Sequence, residues 1–220
     1  KLVQAGLEVV KMKRIFLFLS SKVVFFLNGL FRIHAKRRWF DMKIALITPD
    51  DFTVVCYCEV LVKKILIDNE VIIISDLHIG HSSGYYLDIM KDWGVQHRRV
   101  KLGRFIGPLK DIRYMFSVFR ALKNDDVDMV ITIATKPNLL ATIAAKLSGI
   151  DNIVCSVWGL GLTFSNANRH RDKVLRYLVD YLYKISFSVC RYVWFTNEND
   201  LSHFRSKKSI SEEKVILTKF

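Results

Sequence analysis

The sequence predicts an α/β protein: one doubly wound, mostly parallel sheet behind a helical amino-terminal extension. Seven short apolar runs bounded by turn residues recur from residue 43 onward, and stretches with apolar residues at three- and four-residue spacing lie between most of them. Parallel strands need long crossovers, and helical crossovers also cover the sheet, so this alternation is the pattern that βα units produce. A chain of 220 residues, 51% hydrophobic and 25% charged, has room for one sizeable core.

The extension, residues 1–41, carries nine Lys/Arg and two Asp/Glu, a net of +7 out of the formal +13 of the whole chain. Ile15 to Phe31 is mostly apolar but is interrupted by Lys22 and flanked by Lys11, Lys13 and Arg14 before and Arg32, Lys36, Arg37 and Arg38 after. A spanning helix wants about 20 apolar residues, so a basic helix lying in a membrane interface is the better physical reading of this stretch. The segment MKIALIT, from Met42, reads equally well as the true opening of the protein, which would make residues 1–41 foreign to the folded unit.

The body, residues 42–220, follows in order. A first strand, 43–48, precedes Pro49-Asp50-Asp51, where either aspartate can cap a helix over 52–67. A second strand, 70–75, runs into Asp76-Leu77-His78, and a third is expected over 96–102. The helix over 109–123 places Ile112, Met115, Phe116 and Phe119 on one side, the stripe that ordinarily faces a core. The fourth strand, 129–134, leads to a helix over 137–147 that has Pro137 in its first turn and Gly149 past its end, the usual start and stop signals. The fifth strand, 152–157, an aromatic-rich helix over 175–190, and strands at 192–196 and 215–217 complete the pattern. The last strand has no helix after it, so the unit is expected to be truncated at its carboxyl end. Cys56, Cys58, Cys155 and Cys190 lie in apolar stretches without metal-site spacing and read as buried thiols of a reducing compartment.

In open α/β sheets ligands bind beyond the carboxyl ends of the strands. The loop after the first strand has no glycine, which argues against a dinucleotide fingerprint. His78 and His81 are spaced for a shared metal, but no third ligand is evident, so no metal is assigned. Lys136 stands just ahead of a helix amino terminus at Pro137 and Asn138, where an anion would be favoured; an ordinary exposed loop explains the same residues. Trp158-Gly159-Leu160-Gly161 lets backbone approach a ligand closely, and Trp158 can either stack on a sugar or fill core. Arg99, Arg104, Arg169 and Arg171 belong to basic clusters suited to phosphate or a membrane surface. Neither cluster has the interleaved aromatics of a nucleic-acid groove, so no nucleic-acid partner is assigned.

These loops resemble the amino-terminal domain of glycosyltransferase family four. The likeness is carried by MKIALIT at 42–48, VKLGRFIGP at 100–108, residues 127–149, VWGLGLTF at 157–164, LYKISFSVC at 182–190 and FTNENDLSHF at 195–204. Lys136, Pro137, Asn138, Gly159, Leu160 and Gly161 match the pattern most specifically, and Asn197 matches the asparagine after the sixth strand. The nearest likeness is to bacterial enzymes that extend undecaprenyl-diphosphate-linked saccharides. The resemblance implies a Rossmann-like, amino-terminal half of a GT-B fold that faces a lipid-linked saccharide acceptor at the cytoplasmic face of the inner membrane. It also implies a nucleotide-sugar donor, expected to be a UDP-sugar, held mostly by a carboxyl-terminal domain outside this sequence, with no tightly bound cofactor. The first helix, with Phe52 to Glu59 where relatives often carry glycines or a His-Arg pair, departs from the family, and no residue is assigned the catalytic role. A binding module for a phosphorylated or lipid-linked ligand, without turnover, is the alternative.

Overall fold

The computed structural model describes residues 42–78, 84–103, 107–160 and 170–218, with side chains in the last stretch from residue 173. The extension over 1–41 lies outside the described residues. Seven strands form one sheet: β1 Lys43–Asp50, β2 Glu70–Asp76, β3 Gln96–Arg99, β4 Met129–Ile133, β5 Ile153–Val157, β6 Tyr192–Phe195 and β7 Val215–Leu217. Their order is β3-β2-β1-β4-β5-β6-β7, and every pairing is parallel.

The helices are α1 over 51–65, α2 Tyr85–Asp92, α3 Pro108–Asn124, α4 over 137–147, α5 His170–Val189 and α6 Glu198–Ser206. Helix α1 contains a π-turn at Val54–Cys58, and α4 opens with another at Pro137–Ala141. Asp50 caps α1, its carboxylate accepting from the Thr53 amide at 2.8 Å. Strand β3 is shorter than expected: the chain leaves the sheet at Arg99, and only the Val100 amide still reaches the Ser75 carbonyl, at 2.9 Å. Helix α2 and the full length of α6 were not legible beforehand.

The chain winds outward from β1 to β3 with α1 and α2 on one face, then returns to β4 on the other side of β1. Because parallel crossovers keep one hand, reversing direction moves the later helices to the opposite face. One core accordingly packs Leu61, Val62 and Met90 against Ile44, Leu46 and Ile73. The other packs Tyr114, Val118, Leu122, Tyr183, Phe187 and Phe204 against Ala45, Ile47 and Ile72. The reversal puts a topological switch point between β1 and β4.

Helix α3 presents part of the expected stripe to this core, Met115 and Phe119, and turns Ile112 and Phe116 away from it. Tyr114, Val118 and Leu122 are buried, whereas Ile112 and Phe116 are 59% and 56% exposed. No described helix is long and apolar enough to cross a membrane.

Candidate functional site

At the switch point, β4 ends in Ala134, which has φ of +76°, a left-handed backbone that costs a β-carbon of order 1 kcal/mol. That turn swings the chain away from the sheet and sends Thr135 and Lys136 over its carboxyl edge. The Asn138 amide donates to the Ala134 carbonyl at 2.9 Å, and Pro137 has no amide hydrogen, so two donors of the helix start are unavailable to an anion.

The Lys136 ammonium donates to the Gly103 carbonyl at 2.7 Å and to Asp111 Oδ1, also at 2.7 Å. Lys136 and Asp111 side chains are 19% and 16% exposed. Asp111 Oδ2 in turn accepts from the Gly107 amide at 3.1 Å. Lys136 thus joins the end of β4 to the start of α3 and to both flanks of 104–106. A phosphate reaching this lysine would have to compete with Asp111.

Asn138 is fully buried. Its side-chain oxygen accepts from Thr132 Oγ1 at 2.8 Å, and its amide nitrogen donates to the Ser156 carbonyl at 2.8 Å. The side chain bridges β4 and β5 from beneath the edge, holding two strand ends at a fixed separation, and is not turned toward solvent. Pro137 is buried as well.

Beyond β5, Trp158 packs edge-on against Trp194 with ring centroids 6.0 Å apart, on the α1 side of the sheet. Leu160 packs against the core of the opposite face. Between them Gly159 has φ of +139° with open space around its missing β-carbon, so backbone conformation, not crowding, makes glycine necessary there. Asn197 caps α6: its Oδ1 accepts from the Asp200 amide at 2.8 Å and its Nδ2 donates to Asp200 Oδ2 at 2.7 Å. Burial raises the Asp200 carboxyl above the usual aspartate range, against the lowering effect of the Asn197 hydrogen bond. Arg99 reaches Asp76 at 3.5 Å and is half exposed. Gly161, Arg104 and Arg169, and the side chain of Arg171, lie outside the described residues.

The neighbouring strand ends carry an acidic group, Asp50, Asp51 and Asp76, of which the sequence suggests a capping role for the first two. Asp51, buried, accepts from the Phe52 and His78 amides at 2.9 and 2.7 Å. Asp76 accepts from Leu77 and Leu102 at 2.8 and 2.9 Å, tying the loop after β2 to the one after β3. His78 lies 3.5 Å from Asp50 and tilts over Phe52 at 4.9 Å. One strand over, His97 Nε2 is 2.9 Å from Ser75 Oγ, and burial, reinforced by Arg99 and Arg98, lowers its pKa despite Asp51. Among the described residues no three side chains are grouped to hold a metal ion.

The site is therefore a ledge at the ends of β1, β2, β3 and β4 in which, among the described residues, the buried cation Lys136 is pre-paired with Asp111, bordered by carboxylates already committed to backbone amides. Asp111, the partner of Lys136, was missed beforehand. Its only local signal was an acid in the first turn of a helix, which the helix dipole explains without a tertiary role.

Residues 43–197 match the family described as Glycosyl transferase 4-like. Two curated relatives are similar over part of their length. The N,N'-diacetylbacillosaminyl-diphospho-undecaprenol alpha-1,3-N-acetylgalactosaminyltransferase of Campylobacter jejuni is 26% identical over 61% of this chain and 35% of its own. The UDP-Gal:alpha-D-GlcNAc-diphosphoundecaprenol alpha-1,3-galactosyltransferase of Escherichia coli is 32% identical over 34% of this chain and 19% of its own. This chain thus matches about a third or less of each relative. In three dimensions it is similar to a glycosyltransferase from Rickettsia africae, with a TM-score of 0.55 and 14% identity over 81% of this chain and 43% of that one.

Proposed function

Because the chain belongs to the Glycosyl transferase 4-like family, we propose that it is the acceptor-side half of an enzyme that moves a sugar from a UDP-sugar to an undecaprenyl-diphosphate-linked saccharide. The observation that carries this reading is what the two relatives share. Their names specify different transferred sugars, N-acetylgalactosamine and galactose, and different first sugars on the acceptor, but the same diphosphoundecaprenol carrier. A domain similar to part of both is more economically assigned to the lipid diphosphate that both acceptors carry.

The switch-point ledge suits such a role. Lys136 would meet the acceptor diphosphate by exchanging Asp111 for a phosphate oxygen, with Arg99 and, from outside the described residues, Arg104, Arg169 and Arg171 adding charge. The Gly159–Gly161 loop would admit a sugar close to backbone, with Trp158 at its margin. Asn138 and Asn197 would serve by holding strand ends and a helix start in place. The donor nucleotide would be held mostly by a carboxyl-terminal domain, and the protein would sit peripherally at the cytoplasmic face of the inner membrane.

A short-chain prenyl-diphosphate N-acetylhexosamine, titrated calorimetrically into the chain, tests this directly. Saturable binding that weakens with Lys136→Met and exceeds the affinity for UDP is expected. Tighter binding of UDP than of the prenyl diphosphate would overturn the acceptor assignment. A binding module without turnover is the second reading, favoured by the first helix, where Phe52 to Glu59 stand in place of the glycines or His-Arg pair that many relatives carry. Transfer of labelled sugar by the chain joined to a donor-binding domain separates the two.

A further inference from the structure

Helix α1 departs from α-helical geometry where it leaves the ledge. Its π-turn at Val54–Cys58 and the one that opens α4 lie in the helices that follow β1 and β4, the strands on either side of the switch point. A π-turn closes i→i+5 bonds, is rare, and is found mostly at functional sites. In α1 it has a visible product. Residues five apart lie on different sides of a regular α-helix, yet here the Phe52 and Tyr57 rings meet edge-on at 5.7 Å.

Further rings converge on the same corner from the end of β2 and from α2. Phe52 tilts over His78 at 4.9 Å and meets Tyr86 at 5.6 Å, and His78 meets Tyr86 at 6.2 Å. Tyr86 is buried and anchors the group to the core, whereas Phe52, Tyr57 and His78 are half-buried. Asp50 borders these rings. Its Oδ1 accepts from the Thr53 amide and hydroxyl at 2.8 and 2.6 Å. Among the described residues its Oδ2 has only His78 Nδ1, at 3.5 Å, and both side chains are 28% exposed. Aromatic surface can cover the apolar C–H face of a pyranose, while a carboxylate oxygen with lone pairs to spare and an imidazole meet its hydroxyls.

The corner is also correctly placed. The His78 amide donates to Asp51 at 2.7 Å, which holds the imidazole over the end of β1. Strands β1 and β4 are direct neighbours, about 4.8 Å apart, and the loop after β4 carries Lys136.

We propose that Phe52, Tyr57 and His78, with the Asp50 carboxylate, form a cup for the pyranose ring attached to the acceptor diphosphate. The proposal rests on the acceptor reading for its place in the reaction and adds a specificity-determining site to it: Lys136 would hold the diphosphate, and the cup would select the first sugar. It stands in the stretch Phe52 to Glu59, where relatives often carry glycines or a His-Arg pair, so the family pattern does not supply it.

The test titrates two ligands of equal prenyl length into the full chain, one a bare prenyl diphosphate and one carrying N-acetylglucosamine. The sugar should raise affinity about tenfold. Phe52→Leu, which keeps apolar packing, and Asp50→Asn, which keeps the helix cap, should each erase most of that gain and leave the affinity for the bare diphosphate unchanged. Methyl N-acetylglucosaminide alone, at about millimolar concentration, should shift the His78 ring resonances, and should not do so in Phe52→Leu. Equal affinity for the two diphosphates with unmoved His78 resonances would overturn the cup and leave the acceptor reading standing. Loss of both diphosphates in Phe52→Leu, in step with lower stability in urea, would also overturn it, because the rings would then serve packing alone. If the unsubstituted chain binds neither diphosphate while the glycoside still shifts His78 through Phe52, the acceptor reading fails and the cup stands.

Discussion

Removing either partner of the Lys136–Asp111 pair should loosen the ledge, and removing Asp111 alone should also unmask the lysine. The two groups meet at 2.7 Å with less than a fifth of each side chain exposed. Their bare attraction at an effective dielectric near 20 is roughly 6 kcal/mol, and desolvation offsets most of it. Lys136→Met takes away two charge-assisted hydrogen bonds and leaves Asp111 with the Gly107 amide, so a loss of about 2–3 kcal/mol is expected. Asp111→Asn keeps a polar partner at the same place and should cost about 1–2 kcal/mol. In urea unfolding of the two single variants and the double variant, the cycle should close with a coupling of about 1–2 kcal/mol. Diphosphate titration supplies a second readout: Asp111→Asn should bind inorganic diphosphate more tightly than the unsubstituted chain, and Lys136→Met more weakly. A coupling indistinguishable from zero, together with unchanged diphosphate affinity in Asp111→Asn, would refute the pre-paired arrangement.

Asn138→Ala, which leaves the Thr132 hydroxyl and Ser156 carbonyl without their buried partner, should lower stability by about 2–4 kcal/mol in urea unfolding, and Asn138→Asp should not restore it. Asn197→Ala should cost about 1 kcal/mol through loss of the α6 cap while Asn197→Ser recovers most of it, measured by thermal unfolding. His97 has a folded pKa below its ordinary 6.5, so the unfolded chain binds a proton first as pH falls. Its contribution is intact above 6.5 and is lost as pH falls below that value until the folded pKa is reached; His97→Gln should flatten the stability profile on the acid side of pH 6.5.

How much was legible depended on how far apart the interacting residues lie. All seven strands were readable because an apolar run between turn residues is a local signal, and Pro137 and Gly149 bracket α4 for equally local reasons. Helix α2 escaped because Tyr85–Asp92 is short and only two of its residues, Tyr86 and Met90, are buried. The basic and glycine loops were also readable, but not what their side chains do. Asn138 reads as a loop residue in sequence and is fully buried, because the turn at Ala134 carries it under the strand ends.

The sequence by itself determined the α/β class, the strand set, a helix cap at Asp50 or Asp51, and the position of the candidate loops after β4 and β5. The tertiary structure alone decided that Lys136 is paired with Asp111 across 25 residues of sequence, and that Ile112 and Phe116 face outward while Tyr114 and Val118 face the core. Periodicity fixes which residues of a helix share a side, but several sides of α3 are apolar enough to bury. Which one meets the sheet is settled only when the return from β3 to β4 sets the height and rotation at which the helix lands.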